Sequence, residues 1–359
     1  MSKLGQLVMC GVSGTALTNE ERSFLTDRNI GGVIIFAHNF ESPAQLAELI
    51  NEIQTCRDEY PLFIGIDQEG GRVRRLKTHF AQFPSMYEIG CLDSPKMTYE
   101  VHRIMGKELA ACGININFSP CSDVWTREEN KVIGDRAFAK NTEDVEKHVS
   151  AAIRGLQTSG VIACSKHFPG HGETLKDSHY DLPYVKTTLE QLETRELKPF
   201  IKASRSRVGF MMMAHLVVDA IDEELPTSLS KKAYAFLREK TKFKNVVCTD
   251  DMEMKAISDN FGYGEAAVLA INAGADLIMY RSMDTASQAL IGLEKAFQDG
   301  KLKSSTVEDR HSRLIKMKKS SFAEYSPIYI PKMAKVLGSD ETEKFLEELR
   351  EKLDQNTSK

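Results

Sequence analysis

The feature that most constrains the fold is a regular alternation of short apolar segments with longer amphipathic ones. Segment 32–36 is apolar throughout, as a strand covered on both faces requires. In segment 43–56, apolar residues recur at helical intervals of three and four. Eight strands separated by helices predict a parallel sheet, and their number favours a closed (β/α)8 TIM-type barrel over an open doubly wound sheet. The predicted strands are 7–12, 32–36, 62–67, 114–119, 161–166, 208–215, 245–250 and 276–280.

The chain of 359 residues fits one such barrel, since these domains run from about 200 to over 400 residues. We therefore expect a single domain with a catalytic barrel at 1–300. Residues 301–359 are predicted to form a helical extension, with helices at 304–322 and 341–353. The second helix has leucines on one face, which favours packing on the barrel over a partner-binding tail.

Composition excludes several classes of protein. The net charge of −4 argues against nucleic-acid binding, and no apolar stretch approaches the ~20 residues that span a membrane. No glycine-rich phosphate loop follows the first strand, so we expect no nucleotide cofactor. The seven cysteines lack CxxC spacing, and Cys10, Cys112, Cys164 and Cys248 lie in apolar runs as buried thiols would. With too short an apolar N-terminus for a signal peptide, the cytoplasm is the expected compartment. The oligomeric state is not readable.

Polar residues stand at the carboxyl ends of the apolar strands. Asp67, Lys166, His215 and Asp250 each end such a segment. Active sites of (β/α)8 barrels are built from these strand ends and the loops that follow. The sequence therefore predicts one polar site at this end of the barrel.

The densest polar segment is KHFPGHGET at 166–174, followed closely by Asp177 and His179. Its glycines and proline suit a sharply shaped loop. Because Asp177 and His179 are two residues apart, the carboxylate can reach the imidazole and leave its other nitrogen to deliver a proton. Three further segments, DQEGGRVRR, IGDRAF and TDDM, add carboxylates and arginines, which suit a ligand rich in hydroxyl groups.

Together these segments resemble glycoside hydrolase family 3, specifically its single-domain β-N-acetylglucosaminidases. KHFPGHGETLKDSH matches the pattern K-H-F-P-G-H-G-x-T-x-x-D-S-H at every fixed position, and DQEGGRVRRL, IGDRAF and TDD match in the same order. The resemblance implies that Asp250 is the nucleophile of a retaining mechanism and that His179 is the acid/base, oriented by Asp177. It also implies a set of residues that hold the terminal sugar, namely Asp67, Arg75, Arg136, Lys166 and His167.

The same resemblance implies a substrate class. Terminal β-linked N-acetylglucosamine in cell-wall muropeptides would be the substrate, without cofactor or metal, and chitin-derived oligosaccharides remain open. One departure is Lys131, where relatives often carry proline before Val-Ile-Gly-Asp-Arg. We expect it to alter loop shape more than chemistry.

For several residues near the predicted site, the sequence allows two different roles. Glu69 could bind sugar or pair with a neighbouring arginine. Asp251 could cap the next helix or act in the site, and His171 fits a loop-shaping role better than a catalytic one. His215 could contact substrate or Asp250. The run 211–213, three methionines, is expected to be strand core.

Three rival functions remain at this point. His167, His171, His179 and His215 could bind zinc in a metal-dependent barrel hydrolase. An inactive sugar-binding protein is a second alternative, although binding alone needs no nucleophile. Phosphorolysis is the third, because a histidine acid/base has no fixed negative charge to repel phosphate.

Overall fold

Eight parallel strands close into a barrel in the computed structural model, which describes residues 2–174, 182–322 and 324–357. Each strand pairs with the next along the chain, and the eighth pairs with the first through Val8 and Ile278. The predicted barrel is confirmed, and every predicted strand contains or overlaps an observed one. The strands are β1 Val8–Gly11, β2 Gly32–Ile35, β3 Phe63–Ile66, β4 Ile116–Asn117, β5 Ile162–Phe168, β6 Phe210–Met213, β7 Val246–Asp251 and β8 Leu277–Tyr280.

A helix follows each strand and covers the outside of the barrel. The helices are α1 Asn19–Asp27, α2 Pro43–Thr55, α3 Pro95–Ala111, α4 Thr142–Thr158, α5 Leu197–Arg205, α6 Lys231–Thr241, α7 Tyr263–Ala273 and α8 Met283–Gln298. The first of them, α1, has a short apolar pattern, and its buried residues include Glu21. Its start is nevertheless encoded, because Thr18 and Glu21 form a capping box.

The barrel interior is a packed core. All residues of β1, β2 and β3 are buried, which explains why these strands are apolar without alternation. Phe63 and Phe210 meet edge to face inside it, with ring centroids 5.4 Å apart. The three methionines of β6 are buried, as predicted for strand core.

Strand β5 bends where it enters the site. Its pairing with β6 shifts register between Ser165 and Phe168, and such a shift re-aims the side chains of a strand. Lys166 and His167 lie within this irregular stretch. The sequence prediction ended the strand at Lys166, two residues before its observed end.

The connection between β5 and α5 is only partly described. Residues 175–181, which include Asp177 and His179, lie outside the described residues. The short strand Tyr184–Val185 then pairs in parallel with Val217–Val218, outside the barrel. The chain then forms the short helix Leu189–Gln191 and a π-helical turn, Leu192–Glu196, before α5 begins.

Two further helices follow the barrel helices, namely α9 Ser304–Ser321 and α10 Asp340–Thr357. Lys318 of α9 is buried against the Phe63 ring, and Phe322 also packs on Phe63 with centroids 5.7 Å apart. Leu346 and Leu349 of α10 are buried in the main core. The boundary between a catalytic barrel at 1–300 and a helical extension at 301–359 stays a prediction.

Short helical segments complete the structure at Ser2–Gly5, Ala37–Asn39, Met86–Cys91, Gly134–Arg136, Lys255–Ser258 and Ile330–Met333. Among the described helices, none combines the length and the apolar character that a bilayer-spanning segment requires. All seven cysteines are free thiols, and the four predicted to be buried are so.

Candidate active site

Asp67, Lys166 and Arg75 meet at the carboxyl end of the barrel, as the resemblance implied. The Lys166 ammonium lies 2.8 Å from Oδ1 of Asp67, and the Arg75 guanidinium lies 3.2 Å from Oδ2. Burial alone would raise the pKa of Asp67, but Lys166 and Arg75 outweigh it and hold the pKa below its ordinary value. The carboxyl group is therefore ionised and held in one orientation.

Glu69 belongs to the same cluster. Sequence analysis left open whether it binds sugar or pairs with an arginine, and its contacts show an arginine pair. Arg136 donates from Nη2 to Oε1 at 2.8 Å and from Nε to Oε2 at 2.9 Å, while Lys166 lies 2.7 Å from Oε1. Glu69 is 2% exposed. Burial raises its pKa, but the two cations bring it far below its ordinary value. Glu69 pairs with an arginine that is distant in sequence, and it thereby positions two of the predicted sugar-binding residues.

Lys166 is the common partner of both carboxylates. Burial lowers its pKa, but Asp67 and Glu69 raise it above the ordinary lysine value. The side chain therefore remains a cation although only 2% of the residue is exposed. A buried cation held by two carboxylates is a rigid hydrogen-bond donor for a ligand hydroxyl group.

Asp123 was missed by sequence analysis and lies beneath His167. One of its oxygens, Oδ2, is 2.8 Å from Nδ1 of His167, and Oδ1 accepts the backbone N–H of His171 at 2.7 Å. The signal that could have found it was its place in the loop after β4, where a barrel's site residues belong. It was overlooked because β4 is short and Asp123 follows it by six residues.

Asp250 lies near the carboxyl end of β7, as predicted for the nucleophile. Burial raises its pKa, but His167, His215, the backbone N–H of Asp251 and Lys166 together lower it to about 2. That backbone N–H donates to Oδ1 of Asp250 at 2.8 Å. The site therefore contains a carboxylate that stays ionised and is surrounded by positive or protonatable groups.

His215 supports the backbone at Asp250. Its Nε2 lies 3.0 Å from the carbonyl oxygen of Asp251, and its Nδ1 lies 2.7 Å from the Ser228 hydroxyl. The imidazole is fully buried. These contacts place His215 beside the strand end that carries Asp250, and they make it a support of that strand end.

Asp251 is not a helix cap, and that interpretation is wrong. The next helical segment, Lys255–Ser258, has Met254 at its N-cap position without a side-chain hydrogen bond. Asp251 instead accepts the backbone N–H of Glu253 at 2.9 Å and pairs with Arg281 at 2.6 Å. Burial raises its pKa to about 7, against the effect of Arg281.

The loop after β5 is anchored up to Thr174. His171 Nδ1 lies 2.8 Å from the Thr174 hydroxyl, a contact that suits the loop-shaping role predicted for His171. Asn130 donates to the carbonyl oxygens of His171 and Gly172 at 2.8 and 2.9 Å. The side-chain oxygen Oδ1 of Asn130 accepts the backbone N–H of Ile133 at 3.0 Å. Asn130 therefore ties this loop to the loop that carries Arg136.

Glu173 adds a second, charged anchor at the rim. It pairs with Arg127 at 2.8 Å and with Arg195 of the π-helical turn at 2.5 Å. Asp177 and His179 follow in the chain but lie outside the described residues. The structure thus describes the base of their loop, and the acid/base assignment stays a prediction.

One buried cluster within the described residues offers metal-ligand atoms. Cys121, Asp123 and His167 each have such an atom within 4.8 Å of the others. A cation would have to displace the proton of the Cys121 thiol, whose pKa is raised well above its ordinary value by burial and by Asp123. Its Sγ lies 3.2 Å from Oδ2 of Asp123, as a protonated donor would. The donor set favours hydrogen bonding over metal binding.

Carboxylates, cations and histidines thus converge on one end of a closed parallel barrel, which is the layout of a (β/α)8-barrel hydrolase. The profile of the glycosyl hydrolase family 3 N-terminal domain matches residues 1–317. A β-hexosaminidase from Nitrosomonas eutropha is 35% identical over 301 residues, which is 82% of this chain and 86% of the relative.

Solved structures of related proteins indicate the same family. A family 3 β-N-acetylglucosaminidase from Paenibacillus sp. str. FPU-7 is 37% identical with a TM-score of 0.93, covering 98% of this chain and 68% of that one. NagZ from Neisseria gonorrhoeae is 31% identical with a TM-score of 0.80, covering 94% of this chain and 95% of that one. The chain belongs to glycosyl hydrolase family 3 and is a glycoside hydrolase of the β-N-acetylhexosaminidase type.

Proposed function

We propose that the protein is a β-N-acetylglucosaminidase that removes terminal, non-reducing β-linked N-acetylglucosamine by a retaining double displacement. The observation that carries this proposal is Asp250, a carboxylate with a pKa of about 2 among protonatable groups at a strand end. A retaining glycosidase needs such an ionised carboxylate as nucleophile and a second group that first donates and then accepts a proton.

In the first step, Asp250 attacks the anomeric carbon and forms an ester bond to it. His179, oriented by Asp177, gives its proton to the glycosidic oxygen as the bond to the leaving group breaks. In the second step, neutral His179 takes a proton from water, whose oxygen attacks the same carbon and releases the Asp250 carboxylate. A histidine suits both steps because its unperturbed pKa of ~6.5 lies near neutral pH.

The proposed sugar-binding residues supply donors and acceptors for hydroxyl and acetamido groups. Lys166, Arg75 and Arg136 can donate only, whereas Asp67 can accept further hydrogen bonds beyond its two cations. These groups are fixed by their mutual ion pairs before a sugar arrives. Such fixed groups lower the cost of ordering on binding and favour one sugar orientation.

We further propose that the natural substrates are muropeptide fragments of the cell wall, cleaved in the cytoplasm. The matched β-N-acetylglucosaminidase supports the sugar, and the free cysteines suit a reducing compartment. Comparing hydrolysis of an N-acetylglucosaminyl-anhydromuramyl peptide with that of chitobiose tests the fragment class. Preference for chitobiose would contradict it.

The decisive experiment measures release of 4-nitrophenol from the β-N-acetylglucosaminide and from the β-glucoside. We expect selective hydrolysis of the amino sugar, abolished in Asp250→Ala and kept in Asp259→Ala, an exposed control further along the chain. No release of either sugar by the folded protein would contradict the proposal, and release of glucose alone would overturn its substrate part.

The acid/base assignment needs a separate experiment, because His179 lies outside the described residues. His179→Ala should lose about 10²- to 10⁴-fold in kcat/KM with a poor leaving group, and much less with a leaving group that departs without a proton. Equal losses for both leaving groups would contradict an acid role. Adding phosphate and analysing the product distinguishes hydrolysis from phosphorolysis.

Metal-dependent hydrolysis is the other function with an observation behind it, the cluster of Cys121, Asp123 and His167. Dialysis against a chelator, followed by metal analysis and assay, separates the two mechanisms. We expect full activity and no bound metal. Activity that is lost on dialysis and restored by zinc would favour the metallohydrolase.

A further inference from the structure

Asp123 is the least exposed carboxylate next to the proposed sugar-binding residues, at 1%. Four donors converge on it: Nδ1 of His167 at 2.8 Å, the backbone N–H of His167 at 3.2 Å, that of His171 at 2.7 Å and the Cys121 thiol at 3.2 Å. No step of the proposed mechanism uses this group. A carboxylate with this many donors is ionised and cannot turn.

The contacts of Asp123 determine which nitrogen of His167 carries a proton. Burial would raise the pKa of Asp123, but His167, His171 and their hydrogen bonds bring it below its ordinary value. An ionised carboxylate can only accept, so the Nδ1 atom that it meets must be protonated. In the neutral ring, Nε2 then carries the lone pair.

The other side of the ring faces the sugar-binding cations. Nε2 lies 3.4 Å from Nη2 of Arg136, which can only donate. Arg136 in turn is held by Glu69 through both of that residue's carboxylate oxygens. His167 therefore links a fixed acceptor below it to a fixed donor beside it, and a sugar donor that binds Nε2 takes the place of the long 3.4 Å contact with Arg136.

We propose that Asp123 is a positioning residue of the sugar-binding site: it holds His167 as the Nδ1–H tautomer, so that Nε2 accepts a hydrogen bond from a hydroxyl or amide N–H of the bound sugar. This inference rests on the proposed function for its ligand. It assigns Asp123 a role through His167, with no contact to the sugar. Lys166, Arg75 and Arg136 donate to the sugar, and His167 supplies an acceptor among them.

The backbone contacts give Asp123 a second, structural effect that the test must separate. Its carboxylate also receives the N–H groups at both ends of the turn from His167 to His171. Replacement by Asn would set an amide donor against these donors and could change the turn itself. A loss of activity alone therefore proves nothing about the tautomer.

The first measurement is independent of activity. Nitrogen-15 NMR of histidine-labelled protein, with His167→Asn used to assign the His167 signals, reports which ring nitrogen is protonated. We expect Nδ1 to carry the proton at neutral pH in the unliganded protein, and Nε2 to show the shift of an unprotonated acceptor. A protonated Nε2 would overturn the inference, whether or not Nδ1 also carries a proton and whatever the enzyme hydrolyses.

The second measurement is a double-mutant cycle on the aryl N-acetylglucosaminide. His167→Asn keeps an amide near the position of Nδ1 and removes Nε2. We expect Asp123→Asn to lower kcat/KM about 10- to 100-fold, mainly through KM, because a ground-state contact is lost. In the His167→Asn background the same change should cost less than about 3-fold, since coupled residues are not additive.

Ser122→Ala is the matched control. Ser122 is buried beside Asp123, and its hydroxyl bonds to Ser165 at 2.7 Å, so its kinetics should stay near wild type. Additive losses in the cycle would overturn the inference and leave a structural role for Asp123. Stoichiometric zinc that disappears in Cys121→Ser would overturn it in favour of a metal site. Failure of wild-type hydrolysis would contradict the proposed function and leave the NMR result intact.

Discussion

The guanidinium group of Arg136 meets both carboxylate oxygens of Glu69, at 2.8 and 2.9 Å, although 67 residues separate them. This ion pair is almost fully buried, with 12% of the Arg136 side chain and 2% of the Glu69 side chain exposed. It connects the loop after β3 to the loop after β4. Lys166 from β5 joins it, so three consecutive strand ends share one electrostatic cluster.

We expect Glu69→Gln to destabilise the protein and weaken substrate binding. The change leaves Arg136 without its ionised partner and Lys166 with Asp67 alone, and breaking a buried pair costs about 3–5 kcal/mol. Urea denaturation should therefore show a lower midpoint, and KM should rise. Glu129→Gln, an exposed change in the loop after β4, is the control and should alter neither. Unchanged stability would show that the ion pair contributes little.

We expect Asn130→Ala to disturb the conformation of the loop that follows β5 and thereby to lower kcat. Asn130 is buried and holds the carbonyl oxygens of His171 and Gly172, and each buried group left unpaired costs about 1–3 kcal/mol. If the loop base orients the acid/base, kcat with a poor leaving group should fall more than kcat with an activated one. The exposed Asn260→Ala serves as the control. Equal losses with both leaving groups would contradict this link.

Stability should rise with pH because of Lys318. Burial lowers its pKa from 10.5 to about 7, so the unfolded chain binds this proton more tightly than the folded protein. This one proton makes folding more favourable as the pH rises from about 7 to 10, by up to about 1.4 kcal/mol for each pKa unit, while buried thiols with a raised pKa, such as Cys10, act in the opposite direction near pH 9. Lys318→Met should flatten this rise and increase stability at pH 7. The exposed Lys316→Met should follow the wild-type pH dependence, and a Lys318→Met variant whose unfolding free energy follows the wild-type curve from pH 7 to 10 would refute the prediction.

Protonation of Asp250 should not limit the acid side of the pH–rate profile. With its pKa lowered to about 2, the Asp250 carboxylate stays ionised well below pH 5, because a depressed pKa moves the loss of charge to lower pH. We expect protonation of Asp250 to cause no loss of kcat/KM from about pH 6 to 4, and we expect kcat/KM to fall at higher pH as the proton donor is lost. Lys166→Met removes one cation near Asp250 and should therefore raise the pKa of Asp250, which moves the acid limb of the profile to higher pH. An acid limb near pH 6 in wild type that remains in His167→Asn would contradict an ionised Asp250.

The sequence by itself determined the barrel and much of its site. Apolar strands bounded by polar residues are a local pattern, so the periodicity gave all eight strands, and the residues at their carboxyl ends included Asp67, Lys166 and Asp250. Helix starts are also local, as Ser42 before Pro43 illustrates. The family motif added the remaining proposed site residues, including Asp177 and His179.

Only the tertiary structure decided which of these groups face each other. Glu69 pairs with Arg136, Asp123 with His167, and Asp251 with Arg281, and each pair joins residues near the carboxyl ends of different strands or in the loops that follow them. Sequence spacing within one loop does not encode such pairs, because they depend on barrel closure and on the register shift in β5. The π-helical turn at Leu192–Glu196 escaped prediction for a related reason: Gly170 packs against Glu196, and that contact exists only in the folded barrel.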